Sequence, residues 1–354
     1  MTRPVAAWLL AAALAAGVSA PAAAQAPIQL TPPAPNAPAS KPAAKPAPRK
    51  PAPSQAAPAA PAAPAPPPAS AGELDLAYGA FQRGQYLTAF SIATRRVEEK
   101  KDVKAMTLLA ELYANGLGVD RDDKKAADWY RLAADRGDHE AMFALAMFHL
   151  GGRAGAVNRE QAAKLLAAAA KLGHVAAAYD LGLLYLEGQL FPQDFARAAE
   201  LFRSAAQAGN PEAQYALATL YKEGNGVPKD VAEAARLLAQ AAAADHTDAQ
   251  VEFAIALFNG AGVGRDEQRA VALLKKAARK GNPIAQNRLA NVYAAGRGLP
   301  VDPVAAIKWH LISKAAGAKD LTLDEFMGRQ KPEVRAAGDK AARPWVDAIM
   351  QSRS

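Results

Sequence analysis

From Glu73 onward apolar residues recur at steps of three and four, the spacing of helices that each bury one stripe. Ala213, Leu217, Leu220 and Tyr221 share such a stripe, and Ala234, Leu237, Leu238, Ala241 and Ala242 form another after a short break. Gly209-Asn210-Pro211-Glu212 packs a helix stop and a helix start together. Gly209 suits the left-handed position past a helix end, Asn210 an N-cap, Pro211 the first turn, and Glu212 the positive end of the dipole. Gly281-Asn282-Pro283 repeats the device. Gly224-Asn225-Gly226-Val227-Pro228-Lys229 then reads as a loop, and Asp230 as the cap of the second helix.

This helix pair recurs with a period of 36 residues. Gly116, Gly152, Gly188, Gly224, Gly260 and Gly296 share one phase; Ala105, Ala141, Ala177, Ala213, Ala249 and Ala285 share another. Ala126, Ala162, Ala198, Ala234, Ala270 and Ala306 form a third series, and Leu109, Leu145, Leu181, Leu217, Phe253 and Leu289 a fourth. The second helix of each copy begins at a good cap: Asp122, Asn158, Asp194, Asp230, Asp266 or Asp302. Asp230 with Glu233, and Asn158 with Gln161, have the spacing of capping boxes. One copy alone leaves its apolar stripe bare, whereas stacked copies cover one another. The expected architecture is all-α, a solenoid of antiparallel helix pairs over 103–138, 139–174, 175–210, 211–246, 247–282 and 283–318.

Ala213-Gln214-Tyr215-Ala216-Leu217, then Leu220-Tyr221-Lys222-Glu223-Gly224-Asn225-Gly226-Val227, then Asp230 and Ala234-Ala235 resemble the Sel-one-like repeat (SLR), a relative of the tetratricopeptide repeat. The first copy resembles it through Gly116-Leu117-Gly118-Val119, Lys125-Ala126-Ala127-Asp128-Trp129-Tyr130 and Ala133-Ala134. The resemblance covers 216 of 354 residues. It implies an α-solenoid with an adaptor role, often in the bacterial envelope. Copy two departs from the pattern at Gly151–Asn158, and copy six at Ser313-Lys314, where the pattern wants Ala-Ala. Residues 73–102 read as a tetratricopeptide-like helix pair turning at Arg83-Gly84-Gln85-Tyr86. Residues 319–354 read as capping helices, the first opening on a Thr322-Leu323-Asp324-Glu325 capping box, the second running over Pro332–Met350 with a kink at Pro344.

The formal charge of +8 comes largely from the chain's first part. No acid precedes Glu73, while Arg3, Lys41, Lys45, Arg49 and Lys50 do, leaving 37 basic against 34 acidic residues beyond. A near-neutral repeat region argues against nucleic acid as a partner. Arg3 followed by the apolar run Val5–Val18 and the small residues Ala22, Ala23 and Ala24 reads as a signal peptide over 1–24, cut after Ala24. An uncleaved anchor is the alternative. Residues 25–70, dense in Pro and Ala, read as a disordered linker in fluctuating polyproline II. Its cations Lys41, Lys45, Arg49 and Lys50 offer a weak contact with an anionic envelope surface. The chain has no cysteine, which excludes disulfides, thiolate metal sites and cysteine nucleophiles and fits a periplasmic or secreted location.

Chemistry is sparse. His139, His149, His174, His246 and His310 show no metal-ligand spacing. His139-Glu140 opens like a zinc-protease helix, but Phe143 stands where the second histidine belongs. His174 and His246 fall on the cap phase of the repeat, and no serine sits in a nucleophile elbow. Some SLR proteins with cysteines were named for β-lactam hydrolysis, but their cysteines are missing here, so a hydrolase is only a remote alternative. No catalytic residue, cofactor or metal is expected.

Opposite the core stripe, several first helices carry apolar residues: Phe143, Met147 and Leu150; Tyr179, Leu183 and Leu186; Val251, Ile255 and Phe258. An apolar stripe on a nominally outward face suggests a recognition groove, unless neighbouring first helices bury it against each other. Beside it run Glu140, Asp180, Glu187, Glu212, Asp248 and Glu252, an acidic edge suited to a basic partner. The sequence thus points to a non-enzymatic scaffold binding another protein in the bacterial envelope. The runner-up is a structural, wall-associated protein using its basic Pro-rich segment.

Overall fold

The computed structural model describes residues 76–153 and 155–352. The expected leader, the linker and its four cations lie outside the described residues. Among these residues every regular element is a helix. An opening pair, α1 (Leu76–Gln82) and α2 (Tyr86–Lys100), precedes six repeats. These are α3 (Val103–Asn115) with α4 (Asp123–Ala134), α5 (His139–Leu150) with α6 (Arg159–Lys171), and α7 (Val175–Glu187) with α8 (Phe195–Gln207). Then come α9 (Pro211–Glu223) with α10 (Val231–Ala243), α11 (Thr247–Asn259) with α12 (Glu267–Arg279), and α13 (Pro283–Ala295) with α14 (Pro303–Ala315). The short α15 (Leu321–Gly328) leads to α16 (Pro332–Gln351), which lies along α14 and runs on through Pro344.

From α1 to α14 each helix packs on its neighbours in the chain, and α16 packs on α14. Ala141, Ala177, Ala213, Ala249 and Ala285 are 0% exposed, as are Ala126, Ala162, Ala198, Ala270 and Ala306. A larger side chain at these fully buried positions would have to displace packed neighbours. Leu109, Leu145, Leu217, Phe253 and Leu289 are buried beside them and supply the bulk of the seams.

The caps form as the sequence predicts. Asp122, Asn158, Asp194, Asp230, Asp266 and Asp302 each accept a backbone N–H of the second helix that follows. Asp102, Asp138, His174, Asn210, His246 and Asn282 do the same for the first helices. Each such cap contributes about 1 kcal/mol. Three details differ. Glu233 does not close a capping box but holds Arg236, at 2.7 and 2.6 Å. Gln161 does not close one either, since the Asn158 N–H donates to the His149 carbonyl. The cap of α15 is Asp320, which accepts the Leu323 N–H at 3.1 Å, so Thr322 is inside the helix rather than at its head.

Copy six departs from the alanine pattern because the C-terminal helices cover it. Ser313 is buried and donates to the His310 carbonyl at 2.8 Å, and Lys314 reaches Asp324 at 2.6 Å. In copy two, Arg153 reaches back to the Ala114 carbonyl at 2.6 Å and to Asp123 while lying over the Phe148 ring.

Candidate functional site

Tyr179, Leu183, Leu186, Val251 and Phe258, expected on an open face, are between 1% and 6% exposed. They belong to the core. A helix inside a stack is covered by its own partner, by the preceding second helix and by flanking first helices, so the free stripe is narrower than a single-sided wheel assumes. Tyr179, for example, packs on Phe202 of α8 with ring centroids 5.6 Å apart. Phe143, Met147, Leu150 and Ile255 are half-buried and keep an accessible side. Ile255 lines a pocket of about 260 Å³ with Lys222, Leu238, Glu252 and Asn259.

The acidic edge splits into two kinds of residue. Glu140 lies 3.3 Å from His174 Nε2, Asp248 accepts from Asn282 Nδ2 at 2.8 Å, and Glu252 pairs with Lys222 at 3.0 Å. Lys104 and Asp138 pair in the same way at 3.1 Å. Most of these contacts join the second residue of a first helix to the cap of the next first helix, 34 positions on. They fasten one repeat to the next. Asp180 and Glu187 are different. Both are half-buried and have no hydrogen-bond or ion-pair partner among the described residues. Burial pushes the Asp180 carboxyl up to about 7 and raises Glu187 as well. Glu212 is half-buried beside His246 and favours its charged form.

His174 and His246 both act as caps: Ala177 N–H donates to His174 Nδ1 at 3.0 Å, and Ala249 N–H to His246 Nδ1 at 3.1 Å. Phe143 stacks on His174 at 4.4 Å, and Tyr215, two repeats later in phase, stacks on His246 at 4.8 Å. Burial lowers both histidine pKa values, although nearby carboxylates pull them up. The neutral ring is the form a cap requires.

His139, Glu140 and His174 offer ligand atoms within 4.8 Å of one another, a meeting the linear spacing did not reveal. Residues one period apart become neighbours in a solenoid, and that signal was available. The donor set nevertheless suits a cap better than a metal. With Nδ1 of His174 accepting a backbone N–H, its proton sits on Nε2 and faces Glu140. A metal on Nε2 would need that lone pair, so the cap would have to break first. Ser313, His310 and Asp324 also come together, with His310 Nε2 2.9 Å from Asp324. The serine hydroxyl is committed to a backbone carbonyl and the ring is 1% exposed, so the trio makes no nucleophile-base pair.

One feature was missed. At the end of the stack, α13 and the turn over 316–322 border a cleft of about 700 Å³ whose wall includes Arg288. Arg288 shares its repeat phase with Asp180 and Glu252, so the sign of the edge reverses in copy six. Reading the edge only for acids hid this.

A family model described as Sel1 repeat matches residues 103–138, 139–174, 175–210, 211–246, 247–282 and 283–317. No curated protein matches the chain. Among solved structures, a Sel1 repeat protein from Oxalobacter formigenes is 27% identical with a TM-score of 0.61, over 68% of this chain and 98% of that one. A protective antigen of uropathogenic Escherichia coli strains, displaying an SLR fold, is 25% identical with a TM-score of 0.54, over 76% of this chain and 67% of that one.

Proposed function

The chain belongs to the Sel1 repeat family, a non-catalytic protein-interaction fold, and we propose that it is a scaffold of the bacterial cell envelope, exported to the periplasm or beyond. It holds another protein against the edge of its first helices. One observation carries this reading: in a stack whose other polar side chains largely fasten repeats together, the first helices keep half-buried apolar groups and two carboxylates that have no partner among the described residues. Phe143, Met147, Leu150 and Ile255 offer the apolar contact. Burial opposes ionisation of Asp180 and Glu187, and a basic side chain from a partner would favour their charged forms. The charged leader, the apolar run after it and the lack of cysteine support export. No helix among the described residues is long and apolar enough to cross a membrane.

A second reading follows from the four cations of Lys41–Lys50. A wall-associated protein would use them to reach an anionic surface. Deleting residues 25–70 separates the readings, since a scaffold keeps its partner and a wall-associated protein loses its location.

The test is a cross-linked pull-down of residues 73–354 from envelope extract, with a Met147→Glu, Ile255→Glu variant alongside. Both substituted positions are half-buried rather than core, so the variant is expected to fold. A scaffold working through this edge captures a defined protein that the variant loses. Equal capture by both would show the edge is not the binding surface.

A further inference from the structure

The cleft at the end of the solenoid has Asn287, Arg288 and Asn291 of α13 on one wall and Lys319 and Asp320 on the other. Ile284 and Leu321 stand at its rim, 43% and 78% exposed. Arg288 is half-buried and makes no hydrogen bond or ion pair with any described residue. The two carboxylates nearest in effect, Glu252 and Asp320, are engaged elsewhere. Glu252 holds Lys222 at 3.0 Å. Asp320 accepts the Asn287 and Asn291 amides, both at 3.0 Å, besides capping α15. Arg153 and Arg297, by contrast, are satisfied: Arg297 donates to Glu267 at 2.9 Å and to the Phe258 carbonyl at 3.3 Å. A guanidinium has five N–H donors, and drawing it out of water without an acceptor is unfavourable.

We propose that this cleft receives the free C-terminal carboxylate of a partner chain, gripped by the Arg288 fork. The fork matches a carboxylate in two parallel hydrogen bonds, and Lys319 adds positive charge at the exposed rim. Ile284 and Leu321 take the apolar side chain next to that carboxylate. The volume suits a few residues rather than a folded domain. Asp320 on the facing wall disfavours every added carboxylate, so a chain end, which sets one against the Arg288 guanidinium, fits better than an internal acidic run, which brings several. This inference rests on the scaffold reading and specifies one of its contacts.

The experiment titrates the full-length chain with N-acetyl-Ala-Ala-Leu as the free acid, with the same tripeptide as its C-terminal amide, and with inorganic phosphate, reading affinity by calorimetry for every variant and, where Arg288 is present, its Nε–H NMR signal. The free acid is expected to shift that signal and to bind about tenfold tighter than the amide, the scale of one charge-assisted pair. Arg288→Gln should remove that advantage, and Lys319→Ala, on an exposed side chain, should lower it severalfold without touching the fold. Equal binding of acid and amide, acid binding unchanged in Arg288→Gln or in Lys319→Ala, stronger binding of phosphate than of the acid, or no shift up to the peptide's solubility would overturn the proposal. If Arg288→Gln still binds the tripeptide while partner capture persists, only this inference falls. If tripeptide binding holds but no protein is captured, the scaffold reading falls instead.

Discussion

Met106, Met142 and Ala178 stand in the first three copies where Gln214, Gln250 and Gln286 stand in the last three. The position faces the end of the preceding second helix. Gln214 donates to the Ala206 carbonyl at 3.2 Å, Gln250 to Ala242 at 3.3 Å, and Gln286 to Ala278 at 3.1 Å. Each acceptor is among the last four carbonyls of its helix and also takes a backbone N–H from the turn that follows, that of Gly209, Asp245 or Gly281. An amide latch has direction and length, so it fixes how one repeat is turned on the next. Methionine fills the same seam without specifying an angle. The two halves thus share a fold but differ in how sharply their seams are set. The looser half carries Phe143, Met147 and Leu150 on its edge, while the latched half carries the Arg288 cleft.

The comparison breaks most severely at the loops. A Cβ at Gly262 would lie 2.1 Å from the Val231 carbonyl oxygen, on a residue whose φ is +69°. Gly262→Ala is therefore expected to cost about 3 kcal/mol or more, through strain plus forced separation of two repeats. In copy two, the nearest group to a Cβ at Gly152 is a Val157 methyl at 3.3 Å. Gly152→Ala should cost only the left-handed strain, about 1 kcal/mol. Urea unfolding of both variants measures the gap, and equal losses would remove the claim that the Gly262 loop, like the Gly118 loop of copy one, wedges against the preceding helix pair while the Gly152 turn, at another phase of the repeat, does not.

Leu183 and Ile255 share a repeat phase but not an environment. Leu183 is 2% exposed, so Leu183→Ala should cost about 2–5 kcal/mol, whereas Ile255→Ala, half-buried, should cost about 1 kcal/mol or less. Thermal melts decide this, and a stable Leu183→Ala would return that residue to the surface.

Next in size is a pH effect. Burial holds the His174 and His246 pKa values below the ordinary value, against Glu140 at one and Asp248 and Glu212 at the other; His139 and Lys280 reinforce the lowering. Above about pH 6.5 both folded and unfolded rings are neutral and the caps are intact. As pH falls, the unfolded chain takes up protons before the folded one, so stability drops between about pH 6.5 and the lower folded values. Replacing both histidines with Asn, the cap that copies four and six already use, should flatten Tm over this interval by an amount worth about 1 kcal/mol per cap. An unchanged slope would show that the histidines do not report on the caps.

Smallest is the latch itself. The Oε1 atoms of Gln214, Gln250 and Gln286 are buried without a partner, so replacing Gln250 loses its bonds to the Ala242 carbonyl and to Asp245 but also relieves an unsatisfied oxygen. Gln250→Met should cost about 1 kcal/mol or less while broadening the amide exchange of α11 relative to α10. Unchanged exchange would mean the two halves are equally well specified.

Helices, caps and repeat boundaries were legible because they are written at fixed short distances along the chain. Gly209, Asn210 and Asp230 act where their local chemistry places them. Legibility ended where two repeats meet. The burial of Leu183, the closeness of His139 to His174 and the solitude of Arg288 are set by the rotation between copies, which no single helix wheel contains. The loop glycines were read as turn residues, which is only half their role, since the backbone of the preceding repeat also excludes a side chain there. Ser313 and Lys314 broke the pattern visibly, but the reason lies in α15, whose Asp324 takes Lys314 and His310, the residue to whose carbonyl Ser313 donates.

A photo-activated cross-linking residue at Met147, compared with one at the exposed Glu200 of the second-helix side, tests the claimed binding edge inside cells that make the protein. The account predicts a single defined protein adduct from position 147 and none of comparable yield from position 200. Adducts from position 200 alone, or equal adducts from both, would contradict it.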